Sequence, residues 1–417
     1  MPGRPLNARA VAAAVIGNAL EWYDFTVFGF MTVVIARLFF PSDSDYSSIL
    51  LTTATFGVAF VMRPVGGIVL GLYADRAGRK AALTLVIGLM TLGIFLLAIA
   101  PPYSAIGIGA PIVIVFARLL QGFSAGGEFG SSTALLIEAA PFSKRGFYGS
   151  FQMASQAASL LLGAIVGAAI SRGLSPEALD AWGWRVPFFF GLLIGPVAWY
   201  IRTKLDETPE FLAAETTSTP LRDTFTSQKL RLLIAIGAVV LGTVSTYLVL
   251  FMPTFGVKQL GLAPSVAFSA IALTGLIQMV FAPVVGHLSD RHGRTTIMLI
   301  SAVLLLVLIY PAFVYLVAHP TFGTLIALQV VLGFLMTGYF AALPGLLSEM
   351  FPVQTRTTGM SLAYNIAVTV FGGFGPFIIA WLIGFTGSKA APSYYLIFAA
   401  LLSVAALIAA RRKLGFR

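Results

Sequence analysis

The chain has 417 residues, of which 58% are hydrophobic and only 10% charged, and its mean hydropathy is +0.92. A soluble globular protein carries roughly 25% charged residues, so the polar surface here is too small to cover a water-soluble body of this length. The absence of cysteine excludes disulfides, thiol chemistry and cysteine-ligated metals; the three histidines (His287, His292 and His319) form no HExxH pattern, so no metal site is expected.

In chain order, apolar runs of the roughly 20 residues needed to span a bilayer are predicted at 10–38, 48–73, 82–100, 109–137, 147–170 and 186–201. A polar segment follows. Six more runs are predicted at 232–256, 264–288, 296–318, 321–348, 358–384 and 391–410. No stretch alternates as a transmembrane strand does. The expected fold is therefore all-α and polytopic, with twelve transmembrane helices in two six-helix bundles. The bundles cover residues 1–201 and 232–417, and a cytoplasmic linker, 202–231, joins them. Most of the 42 glycines and half of the 22 prolines sit inside apolar runs, where membrane helices tolerate them for close packing and local breaks. The basic N-terminus (Arg4, Arg9) does not read as a cleaved signal peptide, because Glu21 and Asp24 interrupt its apolar core.

An even number of spans puts both termini on one side. If that side is cytoplasmic, 19 of the 26 basic residues fall there, and few fall on the outer side. This is the positive-inside pattern. It accounts for the net charge of +10 without nucleic acid and predicts a multi-pass membrane protein with both termini cytoplasmic.

The sequence repeats itself. GLYADRAGR (71–79) returns as GHLSDRHGR (286–294) at an offset of 215 residues. EAAP (138–141) with Arg145 returns as EMFP (349–352) with Arg356 at an offset of 211. Two motifs in one order at nearly one offset mean a duplicated six-span unit, with every copy on a cytoplasmic loop. Glycines let helices approach and turn. The acids can cap a helix or pair with basic residues across the contact between halves. Asp75, Arg76, Arg79, Glu138 and Arg145, with Asp290, Arg291, Arg294, Glu349 and Arg356, are therefore the candidate gating residues.

GxxxDRxGR in both halves of a twelve-span chain resembles the major facilitator superfamily, and the resemblance covers essentially the whole sequence. In the second copy Thr295 and Thr296 replace the residues that follow Arg79, which implies a weaker latch there. GNALEWYDF (17–25), MRP (62–64), RLLQGFSAGGE (118–128) and WGWRVPF (182–188) resemble the metabolite–proton symporters of that superfamily. PTFG (253–256) and TGSK (386–389) are most similar to its bacterial citrate–proton symporters. The resemblance implies alternating access between two rocking halves around a midplane site.

Ionisable residues within spans are costly and functional by default. Glu21, Asp24, Arg63, Arg118 and Glu128 are such residues. Arg118 and Arg63 are the leading anion ligands, because guanidinium stays charged and grips a carboxylate with two parallel hydrogen bonds. The alternative for each is neutralisation of a neighbouring acid. Glu21 and Asp24 stand at i, i+3 and share a helix face. Two close carboxylates in low dielectric cannot both ionise easily, which is what proton coupling requires. Asp24 is the favoured carrier, Glu21 its partner and Glu128 its rival; the alternative for Glu21 and Asp24 is a structural ion pair with Arg63 or Arg118. Asn18, Tyr23, Gln121, Gln152, Gln156, Tyr364 and Asn365 are candidates to complete a carboxylate site, with Tyr247 and Gln278 beside them. Lys258 is either an anion lure or a solvated loop lysine.

The expected function is proton-coupled symport of an organic carboxylate, citrate- or tricarballylate-like, into the cell. The partners are a small organic anion, protons and the lipid bilayer; the protein is expected to be a monomer with no cofactor. Other substrates of the branch (2-oxoglutarate, shikimate-like acids, betaine or proline) and an exporter on the same fold are the alternatives. No nucleotide-binding motif supplies ATP energy, and no nucleophile–base constellation suggests an enzyme.

Overall fold

The computed structural model describes residues 8–77, 79–126, 133, 136–137, 140–203, 224–352 and 355–416, with the backbone alone for residues 71–77 and 79–84 among others. Every regular element among the described residues is helical. The first half supplies α1 (Ala8–Phe30), α2 (Thr32–Phe39), α3 (Asp45–Ala77), α4 (Arg79–Ile99), α5 (Gly109–Ala125), α6 (Arg145–Gly173) and α7 (Val186–Thr203). The second supplies α8 (Lys229–Lys258), α9 (Pro264–His292), α10 (Arg294–Ala318), α11 (Phe322–Phe340), α12 (Leu343–Met350), α13 (Arg356–Ala367), α14 (Gly375–Thr386) and α15 (Ala391–Leu414).

Eight described helices are long and apolar enough to cross a bilayer, or nine if the bent pair α1–α2 is one span. The apolar part of α4 and all of α5 are shorter. With α11–α12 and α13–α14 each counted as one passage, the described helices are consistent with twelve spans. Most of the linker expected at 202–231 lies outside the described residues.

Local chemistry explains the breaks. The α1–α2 pair bends by 66°. There the Thr32 hydroxyl donates to the Gly29 carbonyl at 2.7 Å, a back-bond that competes with the helix ladder and bends it. Between α13 and α14, residues Val368–Gly373 form a wide π-turn, the kind of bulge that marks functional segments. The turn is pressed inward, since a Cβ on Gly373 would stand 2.4 Å from the Phe60 ring. Thr321 opens α11 with a capping box, and Gly387 ends α14 in the left-handed conformation at φ +66°.

Two packings position the interior. The α3 and α5 backbones touch: a Cβ on Gly122 would lie 1.6 Å from the Ala59 carbonyl oxygen, and one on Gly66 1.8 Å from that of Phe123. Only glycine permits this approach. It sets Arg63 of α3 beside Arg118 of α5. Across the halves, α6 packs on α9, α3 on α14 and α1 on α8.

Candidate substrate and coupling site

Arg63 and Arg118 are among the most deeply buried large side chains described, at 1% and 0% exposure. Each meets one acid of α1. Arg63 Nη2 lies 3.3 Å from Glu21 Oε1, and Arg118 Nη1 lies 3.2 Å from Asp24 Oδ2. The i, i+3 carboxylates therefore face different arginines. Arg118 Nη1 also donates to Gln121 Oε1 at 2.7 Å. These four charges sum to zero.

Aromatic rings enclose the cluster. Arg118 stands 4.6 Å from the Phe25 ring centre, 4.5 Å from that of Phe28 and 5.3 Å from that of Phe56. Arg63 stands 4.9 Å from the Phe25 ring centre and 4.7 Å from that of Phe60. Guanidinium on a desolvated ring face gains up to about 2 kcal/mol, which offsets part of the cost of burying it. Hydrogen-bonding capacity remains unspent: Arg118 Nε and Nη2, Arg63 Nε and Asp24 Oδ1 have no partner among the described residues. An orphaned buried donor costs about 1–3 kcal/mol, and a cluster of them is a place for an incoming acceptor.

A cavity lies between the halves. Its lining includes Trp22 of α1, Gln156 of α6, Thr246 of α8, Gln278 of α9 and Thr337 of α11. Neither arginine is on its wall. Trp22 links the two places, since its ring also packs on Phe25 at 6.4 Å and on Tyr247 at 6.2 Å. Tyr247 in turn packs on Phe60 at 5.2 Å, and its hydroxyl has no partner among the described residues.

The other candidates are distributed. Asn18 and Gln152 tie α1 to α6: Gln152 Nε2 donates to Asn18 Oδ1 at 2.8 Å, and Asn18 Nδ2 donates to Ser155 Oγ at 2.6 Å. Tyr23 turns outward from the cluster and donates to the Pro187 carbonyl at 3.3 Å. Asn365 bridges the halves, donating to the Gly126 carbonyl at 3.1 Å. Tyr364 is buried and reaches Gln156. Glu128 lies outside the described residues. Lys258, at the end of α8, pairs with Asp45 at the start of α3 at 2.6 Å.

The second copy of the loop motif forms one connected cluster. Asp290 accepts from the backbone N–H groups of Gly146 (2.8 Å) and Phe147 (3.0 Å), so an acid of the second half caps α6 of the first. Arg294 lies 3.2 Å from Asp290 and 2.8 Å from Glu349. Arg356 donates to the Ser348 carbonyl at 2.8 Å, Arg145 opens α6, and Arg291 is exposed. Thr295 accepts from Arg411 at 3.0 Å. Asp75, Arg76 and Arg79 of the first copy, and Glu138, lie outside the described side chains.

Residues 10–219 match the sugar (and other) transporter family model, and residues 259–414 match that of the major facilitator superfamily. The citrate-proton symporter of Klebsiella pneumoniae is 39% identical over 396 residues, 94% of this chain and 89% of the relative. The chain belongs to the major facilitator superfamily. As a member it is a membrane transporter and not an enzyme. The citrate-proton symporter of Salmonella typhi is 37% identical over 95% of this chain and 92% of that protein. The proline/betaine transporter of Escherichia coli K12 is 33% identical over 95% of the chain and 82% of its own length. The xylose transporter XylE of E. coli shares the major facilitator fold, with a TM-score of 0.72 at 20% identity over 97% of each chain.

Sequence reasoning found the four buried charges but not the rings around them. The signal was available: Phe25 and Phe28 at i, i+3 and Phe56 and Phe60 at i, i+4 each put an aromatic pair on one helix face.

Proposed function

We propose that this protein carries an organic carboxylate, citrate- or tricarballylate-like, into the cell together with protons. The halves 1–201 and 232–417 rock about the cavity while the linker 202–231 joins them. We further propose a monomer in a bacterial inner membrane, as its bacterial relatives suggest, with both termini cytoplasmic, which the positive-inside charge pattern supports.

One observation carries this reading: the Asp24–Arg118 pair, fully buried at 3.2 Å, whose arginine keeps two unspent donors. A carboxylate arriving at Arg118 competes with Asp24. An acid displaced from its arginine in a dry site is costly as a charge and is neutralised by binding a proton. The occupied carrier then moves with its charges compensated. Because the four buried charges sum to zero, each negative charge the substrate brings needs a proton or a lost charge elsewhere. Two curated relatives are named for citrate–proton symport, and this supports the substrate class.

The same neutral sum favours a second reading, in which the cargo is a zwitterion; another relative is named for proline and betaine. Uptake of radiolabelled citrate and proline into proteoliposomes, with and without an acid-outside gradient, separates the two. Gradient-driven citrate accumulation is expected. Proline accumulation without citrate uptake would establish the second reading instead.

A further inference from the structure

The two repeats treat charge differently. The offset of 215 residues that carries Asp75 onto Asp290 also carries Arg63 onto Gln278. The offset of 211 that carries Glu138 onto Glu349 carries Arg118 onto Gln329. The helices agree with the arithmetic for the first pair: Arg63 and Gln278 each stand fourteen residues before the last residue of their helices, Ala77 and His292. On α8, the counterpart of the helix that carries Glu21 and Asp24, there is no acidic residue. Two arginine–acid pairs in the first half thus correspond to two glutamines and no acid in the second.

The two glutamines have different surroundings. Gln329 is fully buried and accepts from Thr274 at 2.7 Å through its side chain and at 3.0 Å through its backbone, which ties α11 to α9. Gln278 lines the cavity, where its amide meets the Met336 sulfur at 3.6 Å. A thioether is a weak acceptor. Gln156, contributed by the first half, lines the same cavity; it sits beside Tyr364, and its buried Nε2 makes no full hydrogen bond among the described residues. Two of the neighbouring hydroxyls spend their protons within their own helices, Thr246 donating to Gly242 at 3.1 Å and Thr337 to Gly333 at 2.6 Å. Beside the Thr26 hydroxyl and the Trp22 indole, two amides, one from each half, therefore face this cavity.

We propose that Gln156 and Gln278 form a neutral subsite that binds an uncharged polar group of the substrate, a hydroxyl or a protonated carboxyl, while the arginines of the first half take its charge. The proposal rests on the carboxylate reading above. An amide offers a donor and an acceptor side by side, which matches a hydroxyl or a carboxylic acid. It offers no countercharge to a second carboxylate in a site with low dielectric. Binding one end of the substrate by charge and the other by amides orients it between the halves. The glutamine at the repeat-equivalent position of Arg63 thereby sets how many charges the cargo can carry.

The chain contains no cysteine, so a single Gln278→Cys substitution gives the full-length protein one unique label site. The test combines maleimide labelling of Gln278→Cys, with and without citrate, and citrate binding by calorimetry to wild type, Gln278→Leu and Gln278→Glu in nanodiscs. Saturating citrate should slow labelling at least about fivefold by occupancy. Gln278→Leu should weaken citrate about tenfold, the loss of one net hydrogen bond, and Gln278→Glu more, because it sets a like charge against the anion. Unchanged labelling, with citrate affinity within about twofold of wild type in both variants, would overturn the neutral subsite while leaving the carboxylate reading standing. If wild type neither binds nor takes up citrate, tricarballylate or 2-oxoglutarate, the carboxylate reading falls and the subsite with it.

Discussion

The Asp24 carboxylate meets the Arg118 guanidinium at 3.2 Å, with side-chain exposures of 1% and 0%. Neither charge has water to fall back on, so a change to one partner is felt by the other. Removing one member of a buried pair costs about 3–5 kcal/mol, because it strands the remaining charge. Exchange of partners within such a pair is therefore a switch with a large energetic throw.

Asp24→Asn keeps the shape and removes the charge. It is expected to melt below wild type, since Arg118 loses its counterion. A carboxylate substrate should supply that missing charge, so citrate should raise the melting temperature more in Asp24→Asn than in wild type. The variant should exchange substrate in counterflow but fail to accumulate it under a pH gradient. Uphill uptake by Asp24→Asn would remove Asp24 as carrier and turn attention to Glu21 or Glu128.

Arg118→Lys keeps the charge but loses the planar guanidinium, whose Nε and Nη2 are left for a substrate while Nη1 serves Asp24 and Gln121. A hydrogen bond to a charged group contributes about 1.5–3 kcal/mol, so substrate affinity should fall roughly 10- to 150-fold in a protein that still inserts. Calorimetric titration of the purified variant checks this. Wild-type affinity would mean that Arg118 only neutralises Asp24.

Asp290 holds the N-terminus of α6 from the opposite half through two backbone N–H groups. A negative charge at a helix N-terminus contributes about 1 kcal/mol. Asp290→Asn should therefore shift the balance of conformations about fivefold toward opening at that end. Transport should change more than substrate affinity does. Rates measured beside Kd in the same preparation test the split; equal changes in both would place Asp290 in ligand binding instead.

Gly122 and Gly88 provide a matched comparison. At Gly122 an added methyl would lie 1.6 Å from the Ala59 carbonyl oxygen, whereas at Gly88 nothing lies within 4 Å. Gly122→Ala must push α5 off α3; overpacking of this kind costs about 1–3 kcal/mol or more, and here it also separates Arg118 from Arg63. Gly88→Ala relieves a helix-interior glycine and should be neutral or stabilising by up to about 1 kcal/mol. Thermal melting of the two variants in one detergent checks the ordering.

Much of this protein was legible in the chain because the bilayer imposes one-dimensional rules. A span needs about 20 apolar residues and its backbone must be satisfied internally, so hydropathy alone yields helices. A buried charge is conspicuous against that background, which is why Glu21, Asp24, Arg63 and Arg118 stood out. The duplication was visible for the same reason, since loop motifs punctuate the apolar runs at a fixed offset.

Which arginine meets which acid was not legible. Glu21 and Asp24 share a helix face, and spacing left mutual repulsion and pairing with Arg63 or Arg118 both open. Only the packed α3 and α5, brought to backbone contact by Gly66 and Gly122, set one arginine against each acid. Nor could the sequence say that Tyr23 and Asn365 donate to the Pro187 and Gly126 carbonyls while Gln156 lines the cavity. Composition and periodicity fix what each helix must bury, because transfer into lipid is a property of the segment. Which groups meet inside is decided by the rotation and approach of whole helices, where an ångström separates an ion pair from an orphan.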